Sequence, residues 1–181
     1  GGVRAIDVDD YHPRDQYVEV RHRPETGTPI KNKFRGERLV ALSADTCELI
    51  DDYLAGRRLD VVDEHGREPL LTTSQGRISR SSVRNYCYRF TRPCIYAGRC
   101  PHDRDPEDCP SMEHGAESTC PSSLSPHTLR RGSITHALEN DVPYQILADR
   151  ANVSTEVLKE HYDARDERSK MEQRRGYLDN L

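Results

Sequence analysis

The residues best suited to chemistry lie in one short run, Ser125-Pro126-His127-Thr128-Leu129-Arg130-Arg131-Gly132. Ser125 reads as a helix N-cap and Pro126 as the first helical residue, where a missing N–H costs nothing. His127 and Arg130 are then three apart and share a face at the first turn. That turn also offers free backbone N–H groups and the positive end of the helix dipole. A proton-transferring imidazole beside a guanidinium at a helix start is suited to holding a phosphate. Taken alone, the same pattern is what a capped helix with a solvated basic face would show, because His-x-x-Arg recurs by chance in many helices.

The elements that must position this run come from 181 residues, enough for one domain with a real core and room for a small appended module. Only 34% of residues are hydrophobic, none is Trp and 32% are charged, which predicts a lean core under a charged surface. The net charge of −4 argues at face value against a nucleic-acid binder. The distribution says more. Lys is confined to Lys31, Lys33, Lys159 and Lys170, so Arg carries the positive charge, while acids crowd Asp7 to Asp10, Glu48 to Asp52 and Asp60 to Glu64. Such an acid-rich, Arg-retaining surface fits a protein living at high salt, where long-range attraction to phosphate is screened and close contacts count. A mildly acidic protein from a GC-rich genome fits as well. The chain lacks any run of about 18 apolar residues and any signal peptide, which predicts a soluble, cytoplasmic protein with no membrane partner.

In order, residues 1–10 read as the end of a helix running into a turn, as in a piece cut from a longer protein. Tyr17 to Arg21 alternates as a half-buried strand and Arg38 to Leu42 reads as a second, giving a small antiparallel sheet whose hairpin carries Ile30-Lys31-Asn32-Lys33. Ser43 reads as the cap of a helix through Cys47, Ile50 and Leu54, ending near Gly56. A polar connection from Arg57 to Gly76 holds a short apolar piece, Pro69-Leu70-Leu71. A helix is predicted over Ser81 to Phe90, with Val83, Tyr86, Cys87 and Phe90 on its buried stripe. Residues 93–124 break the rhythm with five prolines, two glycines and four cysteines. Three helices follow: the His127 helix to about Asn140, one opening at Pro143, and one capped by Ser154. A charged tail from Arg165 to Leu181 reads as helical, with Met171, Tyr177, Leu178 and Leu181 as apolar handles.

Four stretches, in order, resemble the catalytic domain of a tyrosine recombinase of the phage-integrase family, most closely the versions of halophilic archaea. Val3-Arg4-Ala5-Ile6-Asp7-Val8-Asp9 resembles the segment after the family's first catalytic arginine. Thr28-Pro29-Ile30-Lys31-Asn32 sits where the family places its catalytic lysine. His127-Thr128-Leu129-Arg130-Arg131-Gly132 matches its His-x-Leu-Arg box, and Val153-Ser154-Thr155 with His161-Tyr162 matches the segment delivering the nucleophile. The resemblance spans the chain outside residues 93–124. It implies a mostly α-helical α+β fold, with the small antiparallel sheet near the N-terminus packed on a helical catalytic core.

It also implies a chemistry. Negative charge building on a phosphodiester calls for preorganised cations, and Arg130 would present its planar fork to two phosphate oxygens. His127 would move a proton at the attacking phenol or hydrogen-bond the phosphate. Lys31, with Lys33 as second choice, would protonate the departing 5′ oxygen. Tyr162 would be the nucleophile of a 3′-phosphotyrosyl link; Tyr177 competes for that role at a longer spacing. Arg4 follows the wrong residues to be the first catalytic arginine, so the resemblance places that group upstream and implies an incomplete active site in this stretch alone. Arg150 stands where the family carries His or Trp, and either contacts the phosphate or pairs with Asp149 or Glu156. Implied partners are double-stranded DNA and three further copies in a tetramer on two DNA sites. Catalysis requires no cofactor. The alternative is a DNA-binding regulator or assembly factor with the fold and no catalysis.

The cysteine spacing C-x5-C-x8-C-x10-C, formed by Cys94, Cys100, Cys109 and Cys120, lies in a segment too polar for a core of its own. Four thiolates around one Zn²⁺ would close it tetrahedrally in a structural role, with His102 or His114 as substitutes. Two disulfides or four free thiols are the alternatives. Cys47 and Cys87 fall on helix stripes and read as core.

Overall fold

The computed structural model describes residues 1–163 and 166–178, which fall into two units, Gly1–Ser123 and Leu124–Leu181. The first opens with one helical turn, α1 (Gly2–Ala5). Three strands follow, β1 (Tyr11–His12), β2 (Tyr17–Val20) and β3 (Arg38–Ala41), antiparallel in the order β1-β2-β3. The register pairs Tyr11 with Val18 and Val18 with Val40. Successive side chains of a strand face opposite ways, so Val18 and Val20 are buried together on one face. Leu39 pairs with Glu19 on the other face and is exposed, despite standing in an apolar run.

Helix α2 (Ala44–Gly56) is capped as the sequence predicts, the Ser43 hydroxyl accepting from Thr46 N–H at 3.3 Å. It buries Cys47 against Ile6, Tyr11, Val18 and Leu70, with Ile50 and Leu54 packed alongside. Leu70 arrives from the polar connection because its N–H donates to Ile6 O at 3.0 Å. A tight hairpin, β4 (Thr72–Thr73) and β5 (Gly76–Arg77), turns through Gly76 at φ +103°, a value glycine adopts without strain. Helix α3 (Arg80–Phe90), capped by Ser79, and the short α4 (Pro93–Tyr96) complete the regular elements of this unit.

Two expectations fail here. No residue of α3 is buried: Tyr86 and Phe90 are exposed and stacked on each other at 5.9 Å, while Val83, Cys87 and Tyr88 form the half-buried side. The helix packs on the polar segment that follows it, near Glu117–Thr119, and that surface makes no demand for large apolar side chains. The acids between Asp7 and Asp10 do not all coat the surface either. Asp7 and Asp10 are 5% and 1% exposed. Asp7 accepts from Arg23 at 3.1 Å, Arg67 at 3.2 Å and Arg77 at 2.5 Å. Arg23 also grips Asp10 at 2.7 Å, and Arg77 grips Asp63 at 2.7 Å.

The second unit holds α5 (Pro126–Glu139), α6 (Tyr144–Ala151), α7 (Thr155–His161) and α8 (Glu167–Arg175). Ile134, Leu138, Leu147 and Leu158 form its core, Leu158 being fully buried. The α6–α7 turn reverses through Asn152 at φ 51°, a left-handed residue whose side chain type tolerates that region. The expected tail begins and ends on Arg165 and Leu181, which lie outside the described residues. Its helix α8 is capped by Asp166 and lines a cavity with Tyr144 and Lys159. The architecture is the expected one, mostly helical with a small antiparallel sheet near the N-terminus. Among the described residues, no helix is long and apolar enough to cross a membrane.

The arginine–aspartate cluster carries an acid-sensitive part of the stability. Burial alone would raise the Asp63 carboxyl, but hydrogen bonds from Arg77 and from the backbone N–H groups of Arg67 and His65 hold it at about 2, below its ordinary 3.8. A lowered folded pKa contributes stability above the unfolded value and loses it as pH falls toward 2. Urea unfolding should therefore show about 2 kcal/mol disappearing between pH 5 and pH 2 on account of Asp63. Asp63→Asn should be less stable at pH 7 and fall more shallowly over that window; an unchanged pH profile would show that the carboxylate contributes nothing.

Candidate functional site

Ser125 caps α5 as its sequence predicts, its hydroxyl accepting from Thr128 N–H at 3.1 Å. His127 and Arg130 both project exposed from the start of that helix. The imidazole makes no hydrogen bond among the described residues. The Arg130 guanidinium donates through Nη2 to the carbonyl of Ala151, the last residue of α6. Carbonyls at a helix C-terminus lack partners within the helix, and a cation there also meets the negative dipole end. The remaining N–H groups of the guanidinium fork stay available to an anion.

Arg131 does for α7 what Arg130 does for α6. Its Nη2 lies 3.5 Å from the carbonyl of His161, the last residue of α7 and the one before Tyr162. Two adjacent arginines of α5 thus hold the ends of two later helices. Arg150, exposed on the last turn of α6, precedes the carbonyl that Arg130 grips. Tyr162 follows α7 directly, its N–H donating to Leu158 O at 3.1 Å and its ring half-buried against the Leu158 core. The second unit therefore gathers His127, Arg130 and the helix ends bearing Arg150 and Tyr162. Arg131 has no role that the His-x-Leu-Arg box by itself implies. Its signal is its place beside Arg130, one residue further round the same turn.

Lys31 belongs to the first unit, on the connection between β2 and β3. Asn32 and Lys33 follow at φ 68° and 52°, two left-handed residues in succession, which for Lys33 costs roughly 1–2 kcal/mol. The base of the connection is fixed, Ile30 N–H donating to His22 Nδ1 at 3.2 Å, while its tip is not covered. Lys31, Lys33, Phe34 and Arg35 are all exposed, with Phe34 set edge-on to the His22 ring at 5.0 Å. A cationic tip on a braced base is a sound mount for a group that must reach a ligand. Arg4, to which no catalytic role falls, donates to Gly27 O at 2.7 Å below this tip.

The cysteines stand differently from the expectation of a closed metal site. Cys94, Cys100, Cys109 and Cys120 are free and half-buried, and among the described residues no three His, Cys, Asp or Glu groups could together hold a metal ion. Hydrogen bonds from Ser111, backbone first, lower the Cys109 thiol below its ordinary value, with Arg104 assisting. What the segment closes around is Arg92, 1% exposed. Its Nη1 donates to Ser111 O at 2.6 Å and its Nε to Arg89 O at 3.3 Å, with no carboxylate partner among the described residues. Nothing in the sequence distinguished this arginine from its neighbours.

No family model matches the chain, and no curated protein matches it. Solved structures do. A XerA recombinase is similar over 99% of this chain and 51% of its own, at 16% identity and a TM-score of 0.57. The Tn1549 transposon integrase in complex with transposon right end DNA is similar over 99% of this chain and 53% of its own, at 11% identity and a TM-score of 0.59. The same integrase with a circular intermediate DNA reaches a TM-score of 0.63 at 11% identity. The chain spans about half the length of the structures it matches. Its fold is that of a tyrosine recombinase catalytic domain.

Replacing Arg92 by Met, which keeps length and removes the donors, should cost roughly 1–3 kcal/mol locally and open residues 93–123 to protease. Metal analysis of the purified chain provides the companion measurement. Four gathered thiols require one zinc per chain, whereas the arrangement around Arg92 requires none.

Proposed function

We propose that this chain is the catalytic domain of a site-specific DNA recombinase, an integrase of a mobile element or virus, acting through a 3′-phosphotyrosyl intermediate. The observation that carries the reading is the pair of adjacent arginines on α5. They tie the helix bearing exposed His127 to the C-terminal ends of the helices bearing Arg150 and Tyr162. Likeness of fold to recombinase and integrase structures, two of them in complex with DNA, supports it.

The Tyr162 phenol oxygen attacks the phosphorus of one DNA linkage as His127 accepts its proton. The bond from phosphorus to the 5′ oxygen breaks, and Lys31 supplies the proton that oxygen needs. Arg130, with Arg150 beside the same helix end, neutralises charge on the non-bridging oxygens. Because one phosphoester replaces another, the link retains the energy for rejoining, and neither metal nor nucleotide is consumed. Four copies on two DNA sites would complete an exchange. The acid-rich, Lys-poor composition accords with a halophilic archaeal setting, where such close contacts outlast screening. The second reading, a DNA-binding factor without catalysis, is favoured by Arg150 in place of the family's His or Trp and by the half-buried Tyr162 ring.

A nicked duplex that releases its short strand on cleavage separates the two. The protein containing this chain should become trapped covalently on such DNA, seen as an adduct surviving denaturation. Tyr162→Phe should abolish the adduct while leaving DNA binding intact, and Arg130→Ala should slow it about a hundredfold or more. Binding with no adduct supports the non-catalytic factor, and an adduct persisting in Tyr162→Phe removes that residue from the chemistry.

A further inference from the structure

A cavity of about 490 Å³ lies wholly within the second unit, lined among others by Tyr144, Lys159, Glu167, Lys170, Arg174 and Tyr177. Of the catalytic candidates it meets only Tyr177, the competing nucleophile, and none of Lys31, His127, Arg130, Arg150 or Tyr162. Its volume is that of a small-molecule site and suits a mononucleotide. Three cations face it, unequally engaged. Lys170 Nζ is held by Glu167 at 3.1 Å and serves the frame. Arg174 spends only its Nε, on the carbonyl of Lys170 at 3.0 Å, and pairs with no carboxylate among the described residues. Lys159 sits 5.6 Å from the centre of the Tyr144 ring, acts on the Glu156 carboxylate only at a distance, and forms no close ion pair among the described residues. The Tyr144 hydroxyl is committed to Asp163, which fixes the ring. Tyr177 is half exposed at the mouth.

Two cations without a close carboxylate, beside two aromatic rings, are complementary to a ligand that joins an anion to a flat ring. We propose that this cavity binds a nucleotide, its phosphate on Lys159 and Arg174 and its base on the tyrosine rings. Base–aromatic stacking tolerates any base, and phosphate contacts read none, so the site selects the chemical class and not a sequence. The same chemistry is offered by a free mononucleotide and by one unpaired nucleotide of a strand. The inference stands independently of phosphotyrosyl chemistry, since it uses none of His127, Arg130 or Tyr162.

Calorimetric titration of the full 181-residue chain with dAMP tests it, with deoxyadenosine and inorganic phosphate as the two halves of the ligand. The dAMP should bind at least tenfold more tightly than either half. Lys159→Ala and Arg174→Ala should each weaken it about tenfold, and Tyr177→Leu roughly fivefold, with unfolding midpoints unchanged. Arg175→Ala, which removes a cation paired instead with Glu172 at 2.7 Å, should leave binding as it was. Single-stranded oligodeoxyadenylate that displaces dAMP assigns the site to an unpaired nucleotide, and one that leaves dAMP bound assigns it to the free form. Phosphate binding as tightly as dAMP, or equal losses in Arg175→Ala and Arg174→Ala, would reduce the site to undirected charge and overturn the proposal. Absence of dAMP binding would overturn it as well.

Discussion

One carboxylate, that of Asp7, meets three guanidinium groups, and the first unit is assembled around that meeting. Arg23 comes from the connection after β2, Arg67 from the polar stretch after α2, and Arg77 from β5. A buried carboxylate is costly unless its lone pairs are taken up, and three arginines take them up here. The partners are spread over the chain, so satisfying Asp7 requires the N-terminal segment, the β2–β3 connection and the β4–β5 hairpin to arrive together. Arg77 also donates to the Arg4 carbonyl at 3.1 Å, which binds the end of α1 into the same knot. The base beneath Lys31 is steady for this reason, and the apolar cluster of Ile6, Tyr11, Val18, Cys47 and Leu70 need not do that work alone.

Arginine plays a second framing part in the other unit. Arg130 and Arg131 reach the carbonyls that end α6 and α7, groups that a helix leaves without partners. Each donor thereby acts on a helix that follows it by some tens of residues, and Tyr162 inherits its place from the result. A guanidinium can do this and still present N–H groups outward, which a lysine with one compact ammonium cannot do as readily. The Arg-rich, Lys-poor composition thus has a structural meaning that the net charge of −4 conceals.

The cysteine-bearing segment that ends the first unit follows the same logic in a drier setting. Arg92 gives its Nη1 to the Ser111 carbonyl and its Nε to the Arg89 carbonyl near the end of α3, and the four cysteines of the segment are free. Spacing led toward zinc because thiols in a polar loop invite a shared ion. The tertiary structure adds an organiser that spacing does not show, a buried cation serving main-chain carbonyls. The same packing turns α3 so that Tyr86 and Phe90 face outward, since a helix lying on a polar segment has no apolar surface to bury them against.

Local signals were legible in the sequence: the serine caps of α2, α5 and α7, the alternation of β2, and the His127–Arg130 pair on one turn. Each depends on interactions within a few residues, where covalent geometry leaves little choice. Partners remote in the chain were decided only by the tertiary structure. Asp7 and Asp10 read as surface acids and are buried, Arg92 read as one arginine among many, and Arg131 had no role until its carbonyl partner was in place. The physical reason is that an arginine's charge and donors are the same wherever it stands. Which carboxylate or carbonyl it meets, and whether water is excluded there, is set by how distant segments close on one another.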